Sequence, residues 1–309
     1  MKIEQSIKNL GTKLGFDLIG ITTAEPFVRD ENAALKRVRQ GLMDGLPWYT
    51  EERVQKANRP TTLLPEAKSI VSLAISYFTG ESDTDHDRVT GKVARYAWGN
   101  DYHLVIKERL DKFVNGLPAI AGRPVKTRRF VDDGPMNDRA AAERAGIGFF
   151  GKNTNILTPS HGSWVFLSQV ITDLELTPDL PLSKNCGDCV RCIDACPTQA
   201  ITPEGTLLAT QCISYKTIEQ KEPVTEEELA TFDGWLFGCD RCQEVCPFNH
   251  GGTPLTDWPA FTPEEGMTFN FLERFNPDTD KIPKTSPLYR SRKRVIENVH
   301  TQRRRLGSE

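Results

Sequence analysis

No apolar run in this chain of 309 residues reaches the roughly 18 to 20 residues a helix needs to cross a bilayer. The longest candidates, around Ile70 to Phe78 and Trp164 to Ile171, are broken by serines. The start, Met1-Lys2-Ile3-Glu4, lacks the charged segment and apolar core of a secretory signal. A cytoplasmic protein with no membrane partner is therefore expected, outside the oxidising compartments where disulfides persist. Cysteine is absent before residue 186 and after residue 246, so all eight thiols crowd into one short stretch.

Their spacing is informative. Cys186, Cys189, Cys192 and Cys196 precede Pro197; Cys212 follows alone; Cys239, Cys242 and Cys246 precede Pro247. The first run has the C-x2-C-x2-C-x3-C-P spacing of bacterial ferredoxins, in which three thiolates hold one cluster and the fourth belongs to the other. The second run has Leu236 where its first ligand would stand, and Cys212 restores the count. Crossing the fourth ligands assigns Cys186, Cys189, Cys192 and Cys246 to one 4Fe-4S cluster, and Cys239, Cys242, Cys212 and Cys196 to a second. Structural zinc, a disulfide framework and free core thiols compete with this reading. Zinc accepts tetrahedral thiolate sets, but two paired runs closed by Cys-Pro are far more typical of iron.

With 38% hydrophobic and 26% charged residues, the chain has ordinary globular composition and room for one large core plus a smaller module. The net charge of −3 conceals a basic run: Arg290, Arg292, Lys293, Arg294, Arg303, Arg304 and Arg305 face a single acid, Glu297. A second run holds Arg123, Lys126, Arg128 and Arg129. Such runs are most often solvated helix faces or frayed tails. Their other use is a phosphate-backbone surface, because positive charge supplies most sequence-independent affinity for nucleic acid.

Helical and strand signals alternate through the first two thirds. Ile3, Ile7, Leu10 and Leu14 recur at helical spacing up to Gly15, and Phe16 to Ile21 reads as a strand. Ser69 to Ile75, Thr127 to Val131 and Ser163 to Ile171 read as further strands. This pattern predicts an α/β or α+β layered domain. After Pro178 and Pro181 the texture becomes short, cysteine-dense and loop-rich, as expected where clusters rather than a large apolar core hold a segment together. The boundary is expected near residue 178, and the stretch Gly251 to Pro287 is expected to wrap over the rest.

Gly146-Ile147-Gly148-Phe149-Phe150-Gly151 matches the dinucleotide fingerprint, and with Lys152 most of a P-loop. Both motifs need a strand before the glycines and a helix after them. Here the order is reversed, since Asn137 to Ala145 is a strong helix former that Gly146 ends.

Five segments together closely resemble the epoxyqueuosine reductases, in consistent order over roughly residues 1 to 290: Arg95 to His103, Val131-Asp132-Asp133-Gly134-Pro135, Ala145 to Thr154, Cys212-Ile213-Ser214-Tyr215, and Gly238 to Asn249. The resemblance implies an α+β protein: a nitroreductase-like α/β cobalamin-binding domain (1–177), a ferredoxin-like module with two 4Fe-4S clusters (178–252) and a C-terminal wrapping segment with a basic tail (253–309). It implies removal of the epoxide oxygen of epoxyqueuosine in the tRNA anticodon loop to give queuosine, the electrons coming from an unidentified low-potential donor. Asp132 is the implied proton donor, with Asp133 as a neighbouring rival where a small hydroxyl residue is expected. Arg53, Tyr96, Ala97, Tyr102, His103, Asp132, Asn153, Trp164 and Ser214 are the implied cobalamin contacts. His103 is not expected on cobalt, because Ile106 stands where the Asp-x-His-x-x-Gly signature requires glycine.

Longer family members continue into a helical repeat domain, whereas this chain stops at Glu309. tRNA binding is therefore expected to rest on the basic tail, the cluster module and the active-site mouth of a monomer. The competing readings are a cobalamin and iron–sulfur reductase of a small molecule, as in the reductive dehalogenases, and an electron-transfer subunit.

Overall fold

A computed structural model of the chain describes residues 2–80, 91–263, 268 and 270–307. Part of the Gly251 to Pro287 stretch therefore lies outside the described residues. The strands are β1 (Leu18–Thr23), β2 (Ser69–Ser76), β3 (Lys92–Val93), β4 (Thr127–Phe130), β5 (Phe149–Phe150), β6 (Ile156–Leu157), β7 (Val165–Thr172) and β8 (Trp235–Phe237). Two compact units result: Met1–Ser76 with His103–Gly187, and Tyr77–Tyr102 with Asp188–Glu309. This division differs from the boundaries 1–177, 178–252 and 253–309, for a physical reason. Residues 77–102 join the cysteine-bearing part because β3 pairs in parallel with β8, and Val93, Ala94, Ala97 and Trp98 enter the apolar cluster around Trp235.

The first unit is built on a four-stranded antiparallel sheet of order β1-β2-β7-β4. Every residue of β2 is buried, Ser69, Ser72 and Ser76 included. The serines that break the apolar run thus belong to a strand covered on both faces, where small side chains let layers approach. Two of them are hydrogen-bonded, one through its side chain and one through its backbone: Ser69 Oγ accepts the Leu176 amide at 3.0 Å, and Ser76 N–H donates to Asp17 Oδ2 at 2.7 Å.

The helices of this region are α1 (Ile3–Lys13), α2 (Val28–Arg39), α3 (Glu51–Asn58), α4 (Pro60–Leu63), α5 (Tyr102–Ala121) and α6 (Asp138–Arg144). α6 is capped by Asn137, whose Oδ1 accepts the Ala140 amide at 3.2 Å, and it buries Ala140, Ala141 and Ala142 against the sheet. It ends at Ala145, and Gly146 takes φ 74°, a left-handed value that glycine adopts without a Cβ penalty. The hairpin β5–β6 follows, not a helix. The glycine segment therefore terminates a helix, and neither phosphate-binding motif has its scaffold.

The second unit holds α7 (Arg191–Asp194), α8 (Ile213–Ile218), α9 (Glu226–Ala230), α10 (Arg241–Glu244), α11 (Phe271–Arg274) and α12 (Arg292–Leu306). Clusters are not what alone could hold it. Trp235, Leu236 and Phe237 pack with Phe271, Phe275, Leu288, Val295 and Val299 in an apolar core of its own, which corrects the expectation drawn from the cysteine-dense texture. Burial of each such side chain contributes on the order of 2 kcal/mol. Among the described residues no helix is long and apolar enough to cross a membrane.

Candidate active site and cluster ligands

The C-terminal end of β4 delivers the loop Val131-Asp132-Asp133-Gly134-Pro135. Asp132 lies at φ 52°, in the left-handed region that non-glycine residues rarely occupy and that aspartate tolerates better than most. Its side chain is 61% exposed, and Oδ2 stands 3.9 Å from Nε2 of His103 in the first turn of α5. The neighbouring acid points elsewhere: Asp133 Oδ1 accepts the Val131 amide at 3.2 Å, folding that carboxylate onto its own loop.

The rest of the loop is braced from α3. Arg53 Nη2 donates to the Gly134 carbonyl at 3.2 Å, while its guanidinium lies 4.9 Å from the Trp48 ring centroid. At the other end of α3, the Asn137 amide donates to Ala57 O at 3.0 Å and Asn137 Nδ2 to Asn58 Oδ1 at 2.8 Å. Gly134 is required by space, since a Cβ there would come within 2.3 Å of the Phe130 ring. Asp138 was missed by sequence reasoning, which saw only a helix former. Burial pushes its carboxyl up to about 6; Arg139 opposes the shift and the Asp132 charge adds to it, so the two acids are electrostatic neighbours.

Elsewhere in the first unit Asn153 and Trp164 are buried, and Asn153 Oδ1 accepts the Asn155 amide at 3.2 Å. The adjoining Lys152 reaches the first cysteine: its amide donates to Cys186 Sγ at 3.4 Å and its Nζ to the Gly187 carbonyl at 2.9 Å. Cys186 is the only predicted ligand in this unit, by the division after Gly187.

The second unit contains the other seven cysteines. α7 and α10 pack together, each formed inside a Cys-x2-Cys-x3-Cys segment, and carry Cys192 and Cys242. Burial pushes the Cys212, Cys239 and Cys242 thiols up. Neighbouring thiols add to this: Cys196 acts on Cys212, Cys242 and Cys212 act on Cys239, and Cys212, Cys192 and Cys196 act on Cys242. Cys192, Cys196, Cys212, Cys239 and Cys242 are thus electrostatic neighbours. Thiolates so placed repel one another, and a cationic centre among them would relieve that repulsion. Amide donors already face the sulfurs: Ala200 N–H lies 3.2 Å from Cys196 Sγ, and the Ser214 and Tyr215 amides favour the Cys212 thiolate.

Beside this set Asp240 is buried, accepting the Arg95 amide at 2.7 Å and Gln243 Nε2 at 3.2 Å. Gln243 Oε1 in turn receives the Tyr77 hydroxyl at 3.4 Å. Residues 77–102 therefore sit against the second cysteine run. In that segment Tyr96 is half-buried, its ring 6.3 Å from Tyr102 edge-on and 6.1 Å from Phe237. Ala97 and Tyr102 are buried, and Ser214 is half-buried in the first turn of α8.

The C-terminal arginines are not a frayed tail. Arg294 Nη2 donates to the Gln220 and Lys221 carbonyls just after α8. Arg303 Nη2 donates to Phe275 O at 3.1 Å and Leu272 O at 3.4 Å, and Arg304 pairs with Glu226 at 3.6 Å. Likewise Arg123 is paired with Asp173, Lys126 with Glu66 and Arg129 with Asp111. Arg294 and Arg303 are thus engaged with backbone carbonyls, while Arg123, Lys126 and Arg304 form ion pairs at exposed positions.

Comparison with known proteins agrees with these sites. The family model for a 4Fe-4S double cluster binding domain matches residues 185–249, and the one described as Epoxyqueuosine reductase QueG, DUF1730 matches residues 58–133. The epoxyqueuosine reductase of Cellulophaga algicola is 40% identical over 261 residues, 84% of this chain and 83% of that protein. That of Cyclobacterium marinum is 38% identical over 302 residues, 97% of this chain and 96% of that one. Among solved structures, an epoxyqueuosine reductase with a tRNA-Tyr epoxyqueuosine-modified tRNA stem loop superposes with TM-score 0.87 at 33% identity, covering 99% of this chain and 83% of that one. The Bacillus subtilis enzyme, solved with its catalytic loop swung out of the active site, gives TM-score 0.85 at 32% identity over the same shares. Relatives that span nearly the whole chain are thus about a third or more identical to it, and this chain belongs to the epoxyqueuosine reductases, a family of oxidoreductases.

Proposed function

We propose that this protein reduces epoxyqueuosine to queuosine in the tRNA anticodon loop, with two 4Fe-4S clusters carrying the electrons, cobalamin at the reacting centre and Asp132 as proton donor. The observation that carries this reading is the Asp132 loop: an exposed carboxyl in a left-handed backbone conformation, braced from α3 and faced by His103. The crossed ligand sets, Cys186, Cys189, Cys192 with Cys246 and Cys196, Cys212, Cys239 with Cys242, belong to the same proposal. A relative solved with an epoxyqueuosine-modified stem loop supports the substrate.

Reducing the epoxide to an alkene consumes two electrons and two protons and releases one water. Bound cobalamin supplies the low-potential reductant at the epoxide carbon. Of the residues proposed to contact it, Arg53, His103, Asp132, Tyr96 and Ser214 keep accessible surface, whereas Ala97, Tyr102, Asn153 and Trp164 are buried.

Asp132 donates a proton to the epoxide oxygen as the C–O bond breaks, sparing an unassisted alkoxide departure. His103 Nε2 orients that carboxyl, while Asp133, engaged with the Val131 amide, serves the loop backbone. The first unit, a helix-covered antiparallel sheet, is read as the nitroreductase-like cobalamin domain, and the protein as a cytoplasmic monomer fed by a low-potential donor.

The test is anaerobic turnover of epoxyqueuosine-containing tRNA by cluster-reconstituted protein, with and without cobalamin, read by nucleoside mass spectrometry. Cobalamin-dependent queuosine formation is expected. No product from fully loaded protein with a strong reductant would overturn the reading in favour of a small-molecule corrinoid reductase.

A further inference from the structure

We infer that Arg53 is a positioning residue: stacked on Trp48 and fixed in the first turn of α3, it pins the Gly134 carbonyl and so holds Asp132 in its left-handed, presented conformation. The inference deepens the proton-donor reading above and rests on it.

A non-glycine residue at φ 52° persists only where its surroundings over-determine the backbone. Contacts of two kinds do this here. Inside the loop, Asp133 Oδ1 holds the Val131 amide, closing a short turn around Asp132. From outside, Arg53 Nη2 holds the carbonyl of Gly134, two residues past Asp132. The loop's exit is fixed separately, through Asn137 on Ala57 and Asn58, so Arg53 braces the stretch between the Asp133 turn and that exit.

Arg53 is suited to this task because it is ordered before it meets the loop. Its own amide donates to Thr50 Oγ1 at 3.2 Å, the N-cap bond of α3. Its guanidinium rests on Trp48, a side chain otherwise 47% exposed. A planar donor held by an aromatic face loses little freedom on binding a carbonyl. A lysine would reach the same oxygen without the stack. This also gives the half-exposed indole, edge-on to Tyr49 at 5.6 Å, a second task besides packing.

The test uses full-length, cluster-loaded Arg53→Ala, Arg53→Lys, Trp48→Ala and Trp48→Phe proteins. Amide hydrogen exchange over residues 131–134, read without substrate, is expected to quicken by about 5-fold or more in Arg53→Ala. Trp48→Ala and Arg53→Lys should lie between that and wild type, and Trp48→Phe close to wild type. In turnover, kcat should fall by about 10- to 100-fold in Arg53→Ala with KM for tRNA unchanged, the mark of a misplaced catalytic group.

Unchanged exchange in Arg53→Ala overturns the inference. So does weakened cobalamin binding with unchanged exchange, which would make Arg53 a plain cofactor contact. If Arg53→Ala does not fold, Arg53→Lys and the Trp48 pair decide by the same exchange readout. Because exchange is measured on the free protein, failure of the wild type to act on epoxyqueuosine would count against the proposed function and leave the exchange result intact.

Discussion

Asp133 accepts the Val131 amide at 3.2 Å, so of two adjacent acids one closes the loop and the other is left to face outward toward His103. The side-by-side carboxylates that sequence alone makes equivalent are separated by a single backbone hydrogen bond.

Asp132→Asn should therefore lower kcat by about 100- to 10,000-fold, the range for a general acid, with the cluster spectrum intact. Asp133→Asn, which keeps an acceptor oxygen for Val131, should stay within about 10-fold of wild type. Steady-state turnover by nucleoside mass spectrometry checks both; equal losses would assign the proton to the pair.

Cys212 lies outside both cysteine runs yet is an electrostatic neighbour of Cys196, Cys239 and Cys242. Cys212→Ser should cost one cluster and spare the other, bringing reconstituted iron from about eight to about four per chain. Iron analysis with electron paramagnetic resonance of the reduced protein is the check. Retention of full iron would place the fourth ligand elsewhere.

Arg303→Ala should act on stability. The side chain donates to the carbonyls of Leu272 and Phe275, and its loss leaves both without that donor, at a cost of about 1 to 3 kcal/mol. Urea unfolding should register the loss, and tRNA affinity measured at two salt concentrations should keep its slope. A flattened slope would restore the tail as a phosphate surface.

Asp138 gives a pH prediction. Its folded-state carboxyl is raised from 3.8 to about 6, first by burial. The native state therefore binds more protons than the unfolded state between those values, and the stability this group contributes is full below about pH 4 and lost as pH rises through about 6. Asp138→Asn, which retains an oxygen for the Arg139 amide that Asp138 Oδ1 now accepts, should be more stable than wild type at pH 7.5, by a margin that shrinks toward pH 5. Paired urea titrations across that window would show it; a margin independent of pH would refute it.

What was legible in the sequence was whatever side chains alone encode. Cysteine spacing marked the double-cluster region, Gly146 marked the end of α6, and the serine-broken run Ile70 to Phe78 marked the doubly covered β2. What stayed hidden depends on backbone atoms far along the chain. The engagement of Arg294 and Arg303 was hidden because the carbonyls of Gln220, Lys221, Leu272 and Phe275 that they meet have no signature in sequence. The bond from Arg53 to the loop stayed hidden for the same reason, its partner being the carbonyl of Gly134. The allegiance of residues 77–102 rests on a two-residue strand, too short for any periodicity to reveal.

That allegiance bears on how the protein is made. Val93 emerges from the ribosome well over a hundred residues before its ladder partner Phe237. At ordinary synthesis speeds the interval is on the order of ten seconds. Throughout it, Val93, Ala97 and Trp98 have no β8 to pack on, and the Asp240 carboxylate that will accept the Arg95 amide does not yet exist. The unit that carries seven of the eight cysteines thus cannot close until nearly the whole chain is out, which makes iron insertion a late event and the nascent chain a client for whatever shields apolar segments in the meantime.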